Sequence, residues 1–281
     1  MRKRAVASST ESVSTTLSVA VASSKSSSSV APSPTAEPSP LPSPLDGSLS
    51  SNFTTSSCPA FINSFLADPT FQQCYPFSLL LEGGSRSLFT AYKSIVSITQ
   101  VLDASCAANV TLCNNYFQGL VQKLTTTDNC AADYNLGNPV VVQTYVALKA
   151  YAPTYTATCT KDPESSAYCF AETVTSNLSN VYIYFLPFNM SLANNPVPTC
   201  NSCLQNVMSV YHSATANRKQ FIANTYVAAA NNININCGPD FVNQTLAAEV
   251  VSSNGLQGLA GGPSLSLLAT LSLVSIIPWL L

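Results

Sequence analysis

The sequence predicts an all-α, disulfide-rich helical bundle that lies between two flanks without a core of their own. Three observations support this prediction. All ten cysteines lie between Cys58 and Cys237, and apolar residues in that stretch recur every three to four positions. Of the 53 residues from Ala5 to Ser57, 31 are Ser, Thr or Pro, and the apolar C-terminal run carries no charge. We therefore divide the chain into residues 1–57, 58–249 and 250–281.

Apolar spacing predicts the helices of the central domain in order. The first stripe is Leu88, Tyr92, Ile95, Thr99 and Leu102, the second is Leu112, Tyr116, Leu120 and Leu124, and the third is Leu204, Met208, Tyr211, Thr215, Arg218, Ile222 and Tyr226. Asn138-Pro139 and Asp162-Pro163 each place a capping side chain before a proline, as helix starts do. Residues 140–142 and 181–185 are strand-like in composition, but their context favours buried helices. We expect about seven helices.

Cysteine content predicts an oxidising compartment, because so many cysteines would have no structural use in a reducing one. We expect all ten to form disulfides: Cys58, Cys74, Cys106, Cys113, Cys130, Cys159, Cys169, Cys200, Cys203 and Cys237. Short separations favour Cys106–Cys113 and Cys159–Cys169 as local pairs. Five glycosylation sequons indicate the same secretory route. They begin at Asn52, Asn109, Asn177, Asn189 and Asn243.

The N-terminal flank, residues 1–57, is predicted to be disordered because it has too few large apolar side chains to offset the entropy of ordering. Its composition is typical of an O-glycosylated stalk, and an inert linker is the alternative. No apolar signal segment follows the basic residues Met1–Arg4. We interpret the chain as beginning inside a longer secretory precursor; the alternative is a cytosolic protein.

The C-terminal flank has the features of a glycosylphosphatidylinositol attachment signal in the expected order. Small residues from Ser252 to Gly255 precede a short spacer, and an apolar run from Ser264 to Leu281 follows. Ser253 is the predicted attachment residue, because a small residue, Gly255, then lies two positions beyond it; Ser252, with a longer spacer, is the alternative. This flank predicts attachment to a membrane through lipid.

Several classes of chemistry are disfavoured by composition. Charged residues make up 9% of the chain and the net charge is -2, which excludes the basic field of a nucleic-acid-binding protein. No cofactor is implied, and no metal site is expected because His212 is the single histidine.

The pair Cys200-x-x-Cys203 has the spacing of thiol oxidoreductases, but two structural cysteines are favoured. His212 would have to serve any Ser-His-Asp or Cys-His mechanism, and a partly buried or surface histidine on a helix is favoured instead.

Two further hypotheses remain open. A glycan-modifying enzyme would need two carboxylates close together, and the candidates are Glu82, Asp103, Glu164, Glu172 and Asp240. A lipid- or sterol-binding module would need an apolar cavity. Its candidate lining comprises residues 140–142, Tyr145, Tyr182, Tyr184, Phe185 and Phe188, which would otherwise form the core.

Several short sequence motifs lie around the cysteines. They are Asp68–Phe71 with Cys74–Leu81, then Cys106 to Cys113, Leu136–Val140, Tyr168–Glu172 and Cys200-x-x-Cys203. Together they resemble an uncharacterised family of secreted fungal cysteine-rich proteins. The resemblance covers about Cys58 to Glu249. It implies secretion, Ser/Thr-rich flanks and a lipid-anchor signal, and it implies no activity or catalytic residue.

These observations lead to one functional expectation. We expect a structural or interaction module without enzyme activity, held by its lipid anchor on the outer face of a fungal plasma membrane or in the cell wall. The expected partners are the membrane itself and either a cell-wall polysaccharide or an apolar small molecule.

Overall fold

Twelve α-helices and one 3₁₀ helix form the described part of the chain, which comprises residues 40–46, 52–176, 179–192 and 197–250 of a computed structural model. The α-helices are α1 Ser57–Leu66, α2 Pro69–Cys74, α3 Phe77–Glu82, α4 Arg86–Ala91, α5 Ile95–Cys106, α6 Val110–Leu124, α7 Ala131–Asn135, α8 Pro139–Lys149, α9 Tyr151–Thr158, α10 Cys169–Thr175, α11 Ser202–Ala214 and α12 Ile222–Cys237. The 3₁₀ helix, Ser179–Phe188, lies between α10 and α11. The prediction of a helical, disulfide-rich domain is confirmed, and the expectation of seven helices is too low.

Two of the predicted helical stripes are each divided between two helices. Between α4 and α5, Ser94 accepts a hydrogen bond from the amide of Ser97 and starts a new helix. Between α11 and α12 a loop over residues 215–221 separates the buried side chains of Tyr211 and Tyr226. A capping serine or a short loop can interrupt a helix while apolar spacing continues across it, so spacing alone counted too few helices.

The two proline-led helix starts have different outcomes. Asn138 accepts hydrogen bonds from the amides of Val140 and Val141, and α8 begins at Pro139 as predicted. The prediction of a helix start at Asp162 is wrong. Its carboxylate instead closes a turn by accepting from the amides of Glu164 and Ser165. The chain then returns so that Tyr168 forms an isolated antiparallel bridge with Lys161.

The two strand-like segments are helical, as expected from their context. Residues 140–142 belong to α8, and residues 181–185 belong to the 3₁₀ helix, which contains Pro187. A proline lacks the amide hydrogen that a regular α-helix would use there. Ile183 and Tyr184 of this segment are nearly inaccessible to solvent.

Aromatic side chains are central to the two halves of the core. In one half the ring of Phe170 lies 5.0 Å from that of Phe77, 5.7 Å from that of Tyr92 and 4.8 Å from that of Tyr184. In the other half the ring of Phe117 lies 5.8 Å from that of Phe71 and 4.6 Å from that of Tyr151. Edge-to-face contacts of this kind add to the free energy gained by burying the rings.

A short N-terminal segment packs on the helices before the expected domain boundary at Cys58. We call residues 40–46 the strap. Within it, Pro42 is buried and Leu45 has φ 54, a left-handed conformation that suits glycine better than leucine. Composition favours disorder here because the segment cannot form its own core. It is ordered because the helices provide one.

The C-terminal end of the described chain is tied to the loop between α11 and α12. The guanidinium of Arg218 donates one hydrogen bond to the carbonyl of Thr215 and another, 2.6 Å long, to that of Ala247. The amide of Ala247 donates to the hydroxyl of Thr215 at 2.9 Å, and the amide of Val250 donates to the carbonyl of Ala216 at 3.0 Å. These bonds hold the chain against the domain as far as Val250.

Within the described ranges, no single helix has both the length and the apolar composition needed to cross a membrane. The pair α5 and α6 reaches that length and composition only jointly, across a bend of 82°. The apolar run 264–281 and the predicted attachment residue Ser253 lie outside the described residues.

Candidate functional site

All ten cysteines are paired, in five disulfides that each join separate elements. The pairs are Cys58–Cys130, Cys74–Cys113, Cys106–Cys159, Cys169–Cys203 and Cys200–Cys237. The expectation of local pairs Cys106–Cys113 and Cys159–Cys169 is wrong. Sequence separation sets the entropy of closing a loop in the unfolded chain. In the folded chain, the packing of the elements that carry the cysteines determines which of them lie together.

The Cys200-x-x-Cys203 motif does not form a disulfide with itself. Cys200 precedes α11 and bonds to Cys237 at the end of α12, while Cys203 bonds to Cys169 at the start of α10. A thiol oxidoreductase alternates between a dithiol and a bond within the motif. The motif here instead ties α11 to two different helices, which agrees with the structural interpretation.

Four of the five sequons lie in the described ranges, and in each the asparagine is exposed: Asn52, Asn109, Asn189 and Asn243. Asn109 starts α6, and its side-chain oxygen accepts a hydrogen bond from the amide of Leu112. That bond leaves the side-chain nitrogen, which would carry a glycan, directed away from the helix amides. Asn177 lies outside the described residues.

His212 has no catalytic surroundings among the described residues. It is half-buried in the last turn of α11, and its ring lies 5.7 Å from the ring of Tyr226. No acid or nucleophile forms a hydrogen bond with the imidazole in the described part of the chain. The geometry matches the favoured interpretation of a histidine on a helix.

The five carboxylates considered for glycan chemistry are dispersed. Asp103 accepts a hydrogen bond of 2.8 Å from the hydroxyl of Tyr168, while Glu164 and Asp240 are exposed. Glu82 is half-buried at the end of α3, where burial raises its pKa to about 7. Glu172 lies close to another carboxylate, that of Asp162, which was not among the candidates.

Asp162 and Glu172 form a small acidic cluster beside the Cys169–Cys203 disulfide. One oxygen from each, together with the sulfur of Cys203, lie within 4.8 Å of one another. The sulfur is in a disulfide, so it is not a thiolate ligand. Ser202 donates to Asp162 at 2.7 Å, and Ser165 donates to Glu172 at 2.6 Å.

Hydrogen bonds lower the pKa of Asp162, first that from the amide of Ser165, then those from the hydroxyl of Ser202 and the amide of Glu164. A glycosidase needs one carboxyl group with a raised pKa to act as the acid. The bonds to Asp162 work in the opposite direction, so Asp162 does not suit the role of the acid in such a pair.

The residues considered for an apolar cavity belong mainly to the core. Val141, Tyr184 and Phe188 are buried, and Val140, Tyr145 and Phe185 pack against the buried clusters. Tyr182 is exposed. The default interpretation, that these residues form the core, therefore holds for those named here except Tyr182.

A cleft of about 470 Å³ lies between α6, α9 and α11 and is lined without any charged side chain. Its polar lining consists of Asn114, Thr156, Ser209, Ser213, Asn217 and Gln220, and its apolar lining of Ala152, Pro153, Val210 and Ala214. Amides and hydroxyls beside small apolar groups suit a neutral polar ligand. Sequence analysis did not bring these residues together, because they come from three helices and a loop.

The strap and the groove beneath it form a second surface that sequence analysis missed. A cavity of about 400 Å³ lies between Leu41–Pro44 of the strap and the side chains of Leu66, Phe71, Gln72 and Tyr75 on α1 and at the end of α2. The hydroxyl of Tyr75 donates a 2.7 Å hydrogen bond to the carbonyl of Pro42. We call Leu66, Phe71, Gln72 and Tyr75 the strap groove.

Asp46 fixes the C-terminal end of the strap. Its carboxylate accepts hydrogen bonds from the amides of Arg86 at 3.0 Å and Ser87 at 2.9 Å, and from the hydroxyls of Ser85 and Ser87. Burial acts to raise the pKa of Asp46, but the bonds from Ser87, Arg86 and Ser85 outweigh it and lower the pKa to about 2. The strap is thus held by an anionic carboxylate at any ordinary pH.

Acid is expected to remove the contribution of Asp46 to stability. Because its pKa is lower in the folded chain than its usual value of 3.8, the contribution is complete above about pH 4 and is lost as the pH falls toward 2. At pH 6, Asp46→Asn should cost about 1 kcal/mol, or ~2 to 4 °C in melting temperature. Thermal melts of both chains from pH 6 to pH 2 measure the difference. A difference that stays constant over this range would contradict the assignment.

The chain thus forms a helical domain cross-linked by disulfides. Among the described residues, the candidate catalytic side chains are not arranged as a catalytic site. Residues 40–246 match the family model described as a domain of unknown function, DUF7729, and the chain belongs to that family. The matched region begins at Pro40, the first residue of the strap, so the strap is part of the family domain. No curated protein matches the chain, and no solved structure matches it.

Proposed function

We propose that this chain is a secreted, glycosylated interaction module of a fungal cell surface, held there by a glycosylphosphatidylinositol anchor at Ser253. The observation that carries the proposal is the complete pairing of the cysteines in five disulfides. Such a set of bonds forms and persists in an oxidising compartment. The proposal assigns the domain no catalytic step.

Two further features support the surface location. The four described sequons present exposed asparagines, so glycans can be attached without disturbing the core. The sequence after Val250 supplies small residues, a spacer and an apolar run in the order that a transamidase requires. With Ser253 as the attachment residue, residues 256–264 are the spacer and the apolar run that follows is removed.

The anchor is tested by expressing the full chain behind a secretory signal in a fungal host. Phosphatidylinositol-specific phospholipase C is expected to move most of the protein from membranes to the soluble fraction. A matched chain that ends at Pro263 lacks the apolar run and should appear in the medium without treatment. Recovery of a peptide containing Trp279 from the mature surface protein would overturn the proposal, because the run would not have been removed.

A further inference from the structure

The strap is a proline-rich segment that the domain binds without regular secondary structure over residues 40–43, followed by a turn at Pro44 and Leu45. Pro42 is buried, and its carbonyl accepts the hydrogen bond from Tyr75. Grooves that bind such segments generally offer aromatic side chains and a donor to a backbone carbonyl, and they benefit from the small entropy that a proline-rich chain loses on binding. The strap groove supplies both through Phe71 and Tyr75.

The sequence in which the strap lies contains a repeat, and the structure shows which copy occupies the groove. Pro-Ser-Pro-Leu occurs twice in tandem, at residues 38–41 and 42–45, and only the second copy is followed by an aspartate. The donors of Ser85, Arg86 and Ser87 require side-chain acceptor oxygens at that position, which the two carboxylate oxygens of Asp46 supply. Bound four residues out of register, the first copy would place Pro42 there, and proline cannot accept those bonds through its side chain.

Leu45 links the two anchoring points. It follows Pro44 in a turn with φ 54, and one of its methyl groups lies so close to Gly83 that a Cβ built there would be 3.2 Å away. The left-handed conformation costs free energy for leucine. The groove is therefore adapted to the whole sequence Pro-Ser-Pro-Leu-Asp and not to proline alone.

The strap is also separable from the rest of the domain. No disulfide involves it, because the first cysteine is Cys58. The cavity of about 400 Å³ shows that it does not fill its groove. Every copy of the chain carries the same segment, so exchange between two copies would preserve each contact described here and is a low-cost way to form a dimer.

We propose that the strap groove is a recognition site for the sequence Pro-Ser-Pro-Leu-Asp, and that a second copy of this chain can supply that segment in place of the chain's own. This inference goes beyond the proposed surface function and is independent of it. The phospholipase test can fail without changing the groove, and the groove can fail its test without changing the anchor.

The probe for recognition is a fluorescent peptide with the sequence of residues 38–47, titrated into the full chain and followed by anisotropy. The Asp46→Asn chain has a weakened strap, so we expect it to bind the peptide saturably and about fivefold more tightly than the unchanged chain does. A matched peptide with asparagine in place of its aspartate should bind about fivefold more weakly. Absence of saturable binding, or equal binding of both peptides, would overturn the recognition site.

The second copy is tested by mixing two full-length variants. Asp46→Asn leaves a groove available, and Tyr75→Ala damages the groove while leaving an intact strap. Sedimentation velocity should show a heterodimer in the mixture and monomers in each separate solution. If the mixture is also monomeric, exchange between copies is wrong even where the peptide binds. Far-UV circular dichroism of each variant establishes that it is folded; if Tyr75→Ala is not, Tyr75→Phe removes the bond to Pro42 alone.

Discussion

Replacing Cys58 and Cys130 together by alanine is expected to lower the free energy of unfolding by about 3 to 4 kcal/mol. This disulfide spans 72 residues, the largest separation of the five. A cross-link mainly restricts the unfolded chain, and the restriction grows with the length of the loop. Cys74–Cys113 lies within the same loop and remains, which shortens the effective loop by roughly half and keeps the loss below the full value. Urea denaturation under non-reducing conditions measures it.

The double variant, compared with Cys58→Ala alone, also checks which cysteines are bonded. Cys58→Ala alone should expose one reactive thiol per chain after unfolding without reductant, and the double variant should expose none. Two thiols in the double variant would mean that Cys58 and Cys130 have other partners. The two cysteines are also fully buried, so a small part of the lost stability comes from packing.

Truncation of Phe170 to alanine should cost about 3 to 5 kcal/mol, a large share of the stability of a domain of this size. Phe170 is inaccessible to solvent, and three aromatic rings pack around it. Its removal loses the transfer free energy of the ring and leaves a cavity that the surrounding helices and disulfides prevent from closing. The denaturation midpoint should fall without a change in the slope of the transition.

Phe89→Ala is the matched control for this substitution. Phe89 also contacts Tyr92, with ring centres 5.6 Å apart, but 58% of Phe89 is exposed. We expect it to cost less than about 0.5 kcal/mol. Equal losses for the two variants would mean that burial of Phe170 is not the source of its effect.

The helices were predictable from the sequence where a single helix accounts for a single series of regularly spaced apolar residues. In α6, Leu120 and Leu124 are buried as predicted, but in the first half of the helix Cys113 and Phe117 are buried in place of the expected Leu112 and Tyr116. The start of α8 was predictable because Asn138 and Pro139 act locally. The turn at Asp162 was not, because aspartate before proline caps a turn as readily as a helix.

The disulfide pairing and the strap groove depend on contacts between distant parts of the chain. Cys113 pairs with Cys74 because α2 packs on α6, and neither helix contains a residue that specifies the other. The strap has the composition of the Ser/Thr/Pro-rich flank, and composition alone therefore predicts disorder for it. The repeated Pro-Ser-Pro-Leu and the single Asp46 after it were the available signals. Their meaning depends on the positions of Tyr75 and Ser87, which only the folded chain shows.

The bonds that hold the C-terminal segment against the α11–α12 loop bear on how the domain would stand on a membrane. Val250, the last residue that the structure describes, is tied to that loop, and three residues of extended chain reach only about 10 Å. An anchor at Ser253 would therefore keep this end of the domain close to the point of attachment. The neighbouring cleft, whose lining includes Asn217 and Gln220, would then open close to the bilayer surface and the anchor's own sugars. Large soluble partners would have to approach from the other sides of the molecule.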